Sequence, residues 1–580
     1  MSKYRDWLIS DYFDEETKAE LESIKDEEEE IEDRFYKDLN FGTGGMRGKI
    51  GAGTNRINRY TVRKATQGLA NYIVNYSEDG RDRGVVIAYD SRYKSPEFAK
   101  EVALVLNGNG IKTYLFDELR PTPELSFAVR ELNAISGIVI TASHNPPEYN
   151  GYKVYWEDGG QVVPSRAREI IAEIEEIDDF SLIEILDKSE AKDQGLFNII
   201  GKEIDDRYVE EVTKVVPDKD LVQEKGQNLD IIFTPLHGTG NKMIRRILKE
   251  MGFSSLQVVE EQTIPDSDFP TVSSPNPENF ASFEMALEQA KESDGEIDLI
   301  MATDPDCDRM GLVVKNQKGD YVGLNGNEIG VLLSDYLLNK LKEVEELPEN
   351  GTIIKTIVTT EMVRKVAADY GIDVIDVLTG FKFIGEKIKE FKKSGEREFL
   401  FGFEESYGYL AGTYARDKDA VIAAVLAAVM TLYYQEKGKS LYNRLKELRE
   451  EYGYYLEDLE SIRLEGKEGQ EKINGAIENL REEEPEKLSG KKVIVFKDYR
   501  KGKTFDYQNN TEEEINLPES NVLQFLLEDE TLITVRPSGT EPKLKLYFAV
   551  NDESAQKAEE KMEKVKEDIL HKINEIIDQI

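Results

Sequence analysis

The sequence contains little of what marks a secreted or membrane-bound protein. Its single cysteine, Cys307, excludes an internal disulfide and indicates a reducing compartment. The amino end lacks the apolar segment of a signal peptide, and the longest apolar run, 420–434, is too short to span a bilayer. We therefore expect a cytoplasmic protein in which residues 420–434 form a core helix.

Basic residues are scarce as well. The chain has 75 lysines and arginines against 115 acidic residues, which gives a net charge of −40. Such a field repels polyanions, so nucleic acid and anionic membranes are poor partners, and no obligate protein partner is indicated. A site for an anionic ligand must then gather its lysines and arginines locally.

Short apolar strands alternate with helices along much of the chain. Strands are predicted at 84–90, 137–140, 230–233 and 297–302, and a helix is predicted at 61–76. This alternation is typical of βαβ units. It predicts an α/β fold with mixed, mostly parallel sheets that helices cover on both faces.

The chain is too long for a single core, so we expect several domains. Changes in composition and pattern place α/β domains at 1–204, 205–320 and 321–450, and a smaller α+β domain at 451–580. Two acidic segments are expected to be peripheral. Residues 445–490 are interpreted as linker and peripheral helix, and residues 1–40 as an acidic helix. The apolar stripe of that amino-terminal helix consists of Trp7, Leu8, Tyr12 and Phe13.

Ser143 lies where a predicted strand ends in a rigid turn. The strand 137–140 stops just before it, and the prolines at 146–147 cannot donate to a sheet ladder. Open α/β sheets present their chemistry at the carboxyl ends of strands. His144 follows directly and Lys153 lies ten residues on. A serine–histidine pair alone is typical of an exposed turn, so this stretch indicates chemistry only together with other sites.

Three aspartates alternate along the segment that follows the strand 297–302. Asp304, Asp306 and Asp308 can converge on one hard cation if the backbone curls around it, and Mg²⁺ prefers such oxygen ligands. An acidic loop without a metal is the alternative. An EF-hand is disfavoured, because no glycine or terminal glutamate falls at the required spacing.

Two glycine-rich turns are candidate anion sites. Residues 41–48 place four glycines around Arg47, and dense glycine lets the backbone approach a ligand closely. The turn 234–240 opens a helix, whose first N–H groups can hold a phosphate or a carboxylate. A plain turn is the alternative in both places, with His237 as a structural residue in the second.

Two further segments are suited to phosphate and sugar. The run 536–543 combines an arginine, two hydroxyl groups, a glycine and a lysine after a strand, which suits a phosphate cradle although it is not a P-loop. Glu404 and Ser406 offer groups that suit sugar hydroxyls, with Arg416 and Lys418 shortly after them. A capped helix start is the alternative for the second segment.

Together these parts indicate phosphoryl transfer on a phosphosugar. A serine, a divalent cation and a phosphate cradle supply the nucleophile and the positive charge that such transfer needs. A serine hydrolase is disfavoured, because the motif Gly-x-Ser-x-Gly is absent and no acid partner is evident.

The chain resembles the α-D-phosphohexomutase superfamily in four motifs that occur in the family's order and cover nearly its whole length. They are Thr141-Ala-Ser-His-Asn-Pro146, Asp304-Pro-Asp-Cys-Asp-Arg309, Glu404-Glu-Ser-Tyr-Gly408 and Arg536-Pro-Ser-Gly-Thr-Glu-Pro-Lys543. The segment 41–48 and the chain length resemble the bacterial phosphoglucomutase branch, which is related to phosphoglucomutase-2.

The resemblance implies three similar α/β domains and a smaller C-terminal domain around one central cleft. It implies an intramolecular phosphotransferase that carries phosphate on Ser143 and interconverts α-D-glucose 1-phosphate and glucose 6-phosphate. Glucose 1,6-bisphosphate would be the intermediate and activator. It also implies a Mg²⁺ ion held by Ser143, Asp304, Asp306 and Asp308.

The resemblance also assigns the remaining site residues. Those near the transferring phosphoryl group are Arg47, His144, Lys153, Arg309 and Lys418, and it does not divide general acid and base roles among them. Those for sugar recognition and sugar choice are Thr379, Gly380, Phe381, Lys382, Glu404 and Ser406. Those for the non-transferring phosphate are Arg536, Ser538, Gly539 and Thr540.

Related activities share these residues and stay open as alternatives. They are phosphomannomutase, phosphopentomutase and glucose 1,6-bisphosphate synthase. A non-catalytic binding protein is disfavoured, because the serine, the aspartates and the cradle are all intact. One departure is Cys307, where many relatives carry alanine or glycine, and it is expected to make the site sensitive to thiol reagents.

Overall fold

The computed structural model describes residues 2–42, 44–293, 295–464, 466–538 and 543–580. The strands are β1 Phe41–Gly42, β2 Gly45–Lys49, β3 Val85–Tyr89, β4 Thr113–Phe116, β5 Ser136–Ile140, β6 Tyr149–Trp156, β7 Phe197–Ile200, β8 Ile231–Thr234, β9 Leu256–Val258, β10 Leu299–Thr303, β11 Met310–Lys315, β12 Tyr321–Leu324, β13 Gly351–Thr356, β14 Asp373–Val377, β15 Glu398–Glu404, β16 Gly408–Ala411, β17 Tyr454–Arg463, β18 Lys487–Leu488, β19 Lys491–Asp498, β20 Lys503–Asp506, β21 Thr511–Glu514, β22 Leu523–Leu527, β23 Leu532–Pro537 and β24 Lys543–Asp552.

The helices follow the same chain order. The α-helices are α1 Ser2–Ile9, α2 Glu15–Ser23, α3 Glu28–Phe35, α4 Arg59–Tyr76, α5 Gly80–Arg83, α6 Ser95–Gly108, α7 Thr122–Glu131, α8 Pro164–Glu175, α9 Lys188–Asp193, α10 Lys202–Val215, α11 Lys219–Lys225, α12 Gly240–Met251, α13 Glu284–Glu292, α14 Gly326–Glu343, α15 Met362–Ala368, α16 Phe381–Ser394, α17 Ala420–Glu436, α18 Leu441–Tyr452, α19 Gly466–Glu483 and α20 Ala555–Gln579. Short 3₁₀ helices lie at Phe180–Leu182, Gly226–Asn228, Glu260–Gln262 and Phe280–Phe283.

The chain divides into two compact units, each made of two stretches of sequence. The first comprises Met1–Thr352 and Phe381–Leu441, and the second comprises Ile353–Gly380 and Tyr442–Ile580. The sheets of β1–β7 and β8–β12 belong to the first unit, as does the antiparallel pair β15–β16. The C-terminal sheet belongs to the second unit, together with β14.

The first sheet has the strand order β1-β2-β6-β5-β3-β4-β7. Among the described residues, parallel pairing joins β5, β3, β4 and β7, and antiparallel pairing joins β5, β6, β2 and β1. The strand β5 is buried along its whole length, as expected where helices cover both faces of a sheet. The strands predicted at 84–90 and 137–140 and the helix at 61–76 are present as β3, β5 and α4. Ser143 follows β5 at the parallel centre of this sheet.

The second sheet has the strand order β12-β11-β10-β8-β9. The strand β8 is parallel to β9 and β10, β11 pairs antiparallel with β10, and β12 pairs antiparallel with β11. The turn from β10 to β11 carries the three alternating aspartates. Mixed sheets with flanking helices confirm the predicted α/β class, with antiparallel pairing more prominent than the sequence pattern suggested.

The helix α17 is the predicted core helix. Every residue from Ala420 to Tyr434 is buried, which confirms that this apolar run belongs to the interior. Asp419 caps its start by accepting hydrogen bonds from the N–H groups of Val421 and Ile422. In the described part of the chain, no helix combines the length and apolar character needed to cross a bilayer.

The second unit contains an antiparallel sheet of order β17-β24-β23-β22-β19-β20-β21, with β18 beside β19. Apolar residues of α19 and α20 form its core with inward-facing strand residues such as Phe525 and Phe548. The interpretation of 445–490 as linker and peripheral helix is wrong in part, because β17 lies within it and pairs with β24 from Tyr454 to Arg463. The strand is charged because it is an edge strand whose side chains stay at least partly exposed.

The amino-terminal segment is not one helix. It forms α1, α2 and α3, and Asp14 starts α2 by accepting a hydrogen bond from the N–H of Thr17. The apolar stripe still forms a cluster, since Trp7 and Phe13 are buried and their ring centroids lie 4.1 Å apart. Leu8 and Tyr12 are only partly buried.

Candidate active site

Ser143 occupies a strained turn directly after β5. Its φ of +52° lies in the left-handed region, which non-glycine residues rarely adopt. The Ser143 hydroxyl donates a hydrogen bond to Asp304 Oδ2 at 2.7 Å, and its Oγ lies 3.2 Å from His144 Nδ1. The serine is therefore in direct contact with the aspartate cluster, although the two residues are 161 positions apart.

The serine turn is held by Thr141, which opens the quoted motif, and by Asp90 and Arg92, which are not among the predicted site residues. Thr141 Oγ1 accepts the N–H of Ser143 at 2.8 Å and donates to Asp90 Oδ2 at 2.6 Å. The Arg92 guanidinium donates to the carbonyl oxygen of Ser143 at 2.5 Å. The available signal was the polar turn 90–92, which follows β3, the parallel neighbour of β5.

The three aspartates form one buried cluster. Oxygens of Asp304, Asp306 and Asp308 all lie within 4.8 Å of one another. Asp304 Oδ1 accepts the N–H groups of Asp308 at 3.1 Å and Arg309 at 3.0 Å, which curls the turn around its own side chain. Within the described residues, Asp306 Oδ1 and Asp308 Oδ1 are buried and have no hydrogen-bond partner. Carboxylate oxygens in this condition suit a hard divalent cation.

The turn 234–240 supports the aspartate cluster. A Cβ on Gly238 would lie 2.5 Å from Pro305 Cα, so this glycine lets the two turns touch. The N–H of Thr239 donates to the carbonyl of Pro305 at 2.8 Å. His237 is a structural residue here, because its two ring nitrogens lie 2.8 Å from a backbone carbonyl oxygen and 2.8 Å from a threonine hydroxyl.

Two lysines reach the cluster from different elements. Lys153 of β6 places Nζ 2.7 Å from Asp306 Oδ2 and 3.4 Å from Asp308 Oδ2. Lys418 places Nζ 3.1 Å from Asp308 Oδ2 and 3.7 Å from Glu404 Oε1. Burial alone would lower the pKa of each ammonium group, but the nearby carboxylates outweigh it and raise the pKa of both. Each lysine therefore carries its charge at neutral pH.

The position of Lys418 is fixed by the aspartates on either side of it. Asp417 Oδ2 accepts the hydroxyl of Tyr155 at 2.6 Å. Asp419 Oδ2 accepts the hydroxyls of Tyr208 at 2.7 Å and Tyr414 at 2.5 Å, while its other oxygen caps α17. The backbone on both sides of Lys418 is thereby anchored.

Burial and neighbouring charges shift the pKa values of the ionisable groups in the site, and the direction differs from group to group. Burial, with the two neighbouring aspartates, raises the pKa of Asp304 well above its usual range. Burial acts the same way on Asp306, but Lys153 outweighs it and holds the pKa of Asp306 below its usual range. Burial and the charges of Arg309 and Arg47 lower the pKa of His144 well below its usual value, so this imidazole is neutral at pH 7.

Two predicted arginines lie at the edge of this cluster. Arg47 of β2 donates through Nη1 to Asn145 Oδ1 at 2.9 Å. Arg309 pairs with Glu278, and its Nε lies 3.9 Å from Asp308 Oδ1. Burial lowers the pKa of Arg309 to about 10.

The predicted sugar residues of the first unit lie in three segments of the chain. Glu404 ends β15 and is buried, and Ser406 lies in the turn that follows. Phe381 and Lys382 begin α16, and the Phe381 ring centroid lies 6.0 Å from Lys418 Nζ. Arg416 is buried and donates through Nη1 to the carbonyls of Thr413 and Ala415. These hydrogen bonds stabilise the loop that carries Arg416.

The remaining predicted residues belong to the second unit. Thr379 and Gly380 precede α16, and Arg536 lies on β23 opposite Lys545. The N–H of Ser538 donates to the carbonyl of Lys543 at 2.8 Å. Gly539 and Thr540 lie outside the described residues.

Cys307 lies between two of the clustered aspartates and is fully buried. Its φ of +56° makes it the corner of the turn. Burial and the neighbouring Asp419 and Asp304 raise the pKa of its thiol well above its usual value. The expected sensitivity to thiol reagents does not fit this environment, because the thiolate is the reactive form.

Comparison with known proteins matches a single family between residues 38 and 567. Family models described as phosphoglucomutase/phosphomannomutase match residues 38–180 as alpha/beta/alpha domain I, 206–319 as domain II, 325–452 as domain III and 465–567 as the C-terminal domain. A phosphoglucomutase of Staphylococcus haemolyticus is 39% identical over 551 residues and 95% of each chain. Another, of Staphylococcus epidermidis, is 37% identical over 547 residues and 94% of each chain.

Solved structures agree on the fold. Parafusin from Paramecium, a phosphoglucomutase in an open form, superimposes with a TM-score of 0.68 at 18% identity, over 93% of this chain and 96% of its own. The family models thus account for all four domains and their order. The solved structure accounts for the fold. The chain belongs to the phosphoglucomutase/phosphomannomutase family.

Proposed function

We propose that this chain is a phosphoglucomutase, an intramolecular phosphotransferase that interconverts α-D-glucose 1-phosphate and glucose 6-phosphate. The observation that carries the proposal is the 2.7 Å hydrogen bond from the Ser143 hydroxyl to Asp304, inside the buried aspartate cluster. Glucose is favoured as the sugar because relatives that match nearly the full chain are named phosphoglucomutases.

Ser143 is proposed to carry the phosphoryl group. In the first half of the reaction the P–O bond to Ser143 breaks and a P–O bond to the free sugar hydroxyl forms. That hydroxyl loses its proton, and the Ser143 oxygen gains one to become a hydroxyl. The resulting glucose 1,6-bisphosphate turns around in the site. The P–O bond between its other phosphoryl group and the sugar then breaks, and that group forms a bond to the Ser143 oxygen. The Ser143 hydroxyl loses its proton in this step, and the alkoxide left on the sugar gains one.

Asp304, Asp306 and Asp308, with the oxygen of Ser143, would hold Mg²⁺. The unpartnered buried oxygens of Asp306 and Asp308 fit that role. When bound, the ion supplies positive charge that stabilises the transferring phosphoryl group. The three carboxylates keep that charge next to the serine oxygen.

The basic side chains around the cluster add positive charge that would neutralise the transferring phosphoryl group. Lys153 and Lys418 are held charged by the aspartates, and Arg47 and Arg309 lie at the edge of the same cluster. Fixed cations in a site that excludes water stabilise a transferring phosphoryl group without reorganising during the reaction. His144, with Nδ1 3.2 Å from Ser143 Oγ, is in reach to receive or supply a proton there.

Sugar and distal phosphate are assigned to the loops that carry the remaining motifs. We assign the sugar hydroxyls to Glu404 and Ser406, with Arg416 shaping the adjacent loop. Sugar choice is assigned to Thr379, Gly380, Phe381 and Lys382. The non-transferring phosphate is assigned to Arg536, Ser538, Gly539 and Thr540.

A second candidate activity is phosphomannomutase, because the matching family models cover both sugars. Phosphopentomutase and glucose 1,6-bisphosphate synthase use the same proposed machinery. These activities differ only in the sugar or in the phosphoryl donor.

A coupled assay separates these activities. Purified protein with Mg²⁺ and a trace of glucose 1,6-bisphosphate is given glucose 1-phosphate or mannose 1-phosphate, and the 6-phosphate is detected enzymatically. We expect faster turnover of the glucose ester. Absence of turnover with either hexose would refute the proposed function.

The serine is tested by substitution. Ser143→Ala is expected to abolish turnover while calorimetry still detects binding of glucose 1-phosphate, because the hydroxyl transfers phosphate and is not needed to hold the sugar. The control is Ser189→Ala, which removes an exposed hydroxyl in α9 and is expected to leave turnover unchanged. Substantial activity in Ser143→Ala would show that phosphate is carried elsewhere.

A further inference from the structure

One buried guanidinium gathers the backbone carbonyls of the serine turn. Arg92 Nη2 donates to the carbonyl oxygens of Ser143, at 2.5 Å, and of Asn145. Arg92 Nη1 donates to those of Pro146 at 2.8 Å and Tyr149 at 3.0 Å. Four carbonyl dipoles that would repel one another are thus directed at a single positive charge.

The charge of Arg92 is compensated inside the protein. The Arg92 and Asp90 side chains are both fully buried, and Arg92 Nε lies 3.3 Å from Asp90 Oδ2. The guanidinium carbon also lies 5.0 Å from the centroid of the Phe269 ring, in a cation–π contact. A buried charge is tolerated only with such a partner and with hydrogen bonds to its remaining donors.

Asp90 links the arginine to the other side of the serine. Its Oδ2 accepts the hydroxyl of Thr141, and Thr141 Oγ1 in turn accepts the N–H of Ser143. The N–H and the C=O of Ser143 are therefore each held by a buried side chain. A non-glycine residue in the left-handed region is strained and persists only where its surroundings fix it.

We propose that Arg92, Asp90 and Thr141 are positioning residues that hold the Ser143 oxygen in line for phosphoryl transfer. The inference rests on the proposed function and deepens it. The three residues act on the backbone of the serine and not on the sugar. Their loss should therefore lower kcat, with little change in KM.

The test replaces one buried arginine and compares it with another. Arg92→Lys keeps the charge, but a single ammonium nitrogen cannot replace the two Nη atoms that donate to the four carbonyls. Displacements near 1 Å cost about a hundredfold in rate, so we expect kcat to fall about a hundredfold. KM for glucose 1-phosphate should stay within about threefold, since the sugar contacts are untouched.

The matched control is Arg481→Lys in the second unit. Arg481 is also buried and pairs with Asp498 at 3.0 Å, so the two variants replace the same kind of guanidinium in a buried ion pair. We expect a comparable fall in Tm for both, with kcat of Arg481→Lys within about twofold of wild type. If Arg92→Lys keeps the wild-type kcat, or if both variants lose kcat equally, the inference is overturned.

A second pair of variants covers the case in which Arg92→Lys does not fold. Thr141→Val removes the hydroxyl that holds the Ser143 N–H, and Thr141→Ser restores it. We expect kcat to fall at least about tenfold in the valine variant and to recover in the serine variant, with KM unchanged. Equal kcat in the two variants overturns the inference. Lack of turnover by the wild-type protein would instead refute the proposed function, so the two failures are distinguishable.

Discussion

Replacing Gly238 with alanine tests how closely the turn 234–240 must approach the aspartate cluster. The new Cβ would lie 2.5 Å from Cα, 2.7 Å from O and 2.9 Å from C of Pro305, whereas ordinary contacts begin at 3.4 Å. All three atoms belong to the backbone and cannot rotate away. One of the two turns must therefore move by about 1 Å to restore normal contact distances.

The movement would displace Pro305, which lies between Asp304 and Asp306. An error of about 1 Å in a reacting geometry costs up to about a hundredfold in rate, so we expect kcat of Gly238→Ala to fall between about tenfold and a hundredfold. The Mg²⁺ concentration that gives half-maximal activity should rise, because the carboxylate oxygens no longer converge as before. Steady-state rates measured across a Mg²⁺ titration give both quantities, and Tm records any loss of stability.

The chain offers a control glycine in the same part of the fold. Gly295 precedes β10, and a Cβ there would meet no atom within 4 Å, so Gly295→Ala should behave as wild type. The reasoning fails if Gly238→Ala keeps both the rate and the Mg²⁺ dependence of the wild-type protein. It also fails if the two alanine variants lose activity equally.

Three further outcomes are expected. Dialysis against EDTA should abolish turnover and added Mg²⁺ should restore it; turnover that survives chelation would contradict a role for the cluster in metal binding. Ellman's reagent should leave buried Cys307 unmodified in the native protein and react with it in guanidinium chloride, so rapid labelling of native protein would contradict the described burial. Asp419→Ala removes an N-cap and the acceptor of two tyrosine hydroxyls. It should cost about 3–5 kcal/mol, seen as a lower urea midpoint, whereas an unchanged midpoint would refute that role.

Features that depend on neighbouring residues could be predicted from the sequence. The serine turn after β5 follows from an apolar run stopped by prolines. The aspartate cluster follows from alternation along one short turn, and the core helix α17 from an unbroken apolar run. Each signal is contained in about twenty residues or fewer, so no knowledge of the three-dimensional arrangement was needed.

Features that depend on sheet order could not be predicted in this way. Arg92 reaches the serine turn because β3 lies beside β5, an adjacency that the pattern of either strand does not specify. The sequence leaves the glycine turn 234–240 open between an anion site and a structural turn, because its contact with Pro305 is a tertiary contact that the local pattern does not show. The edge strand β17 was interpreted as linker because half-exposed positions accept charged residues as readily as a loop does.

The division of the second unit along the chain has a consequence for synthesis on the ribosome. Residues 353–380 belong to that unit, and so does β24, which pairs with both β17 and β23 and ends at Asp552. Chains grow at about 5–20 residues per second, so residues 353–380 wait on the order of ten to forty seconds for the last strand of the unit to which they belong. Until then β17 and β23 lack the strand between them. A transcript truncated before residue 543 would therefore release a chain with two open sheet edges, which is a state prone to aggregation.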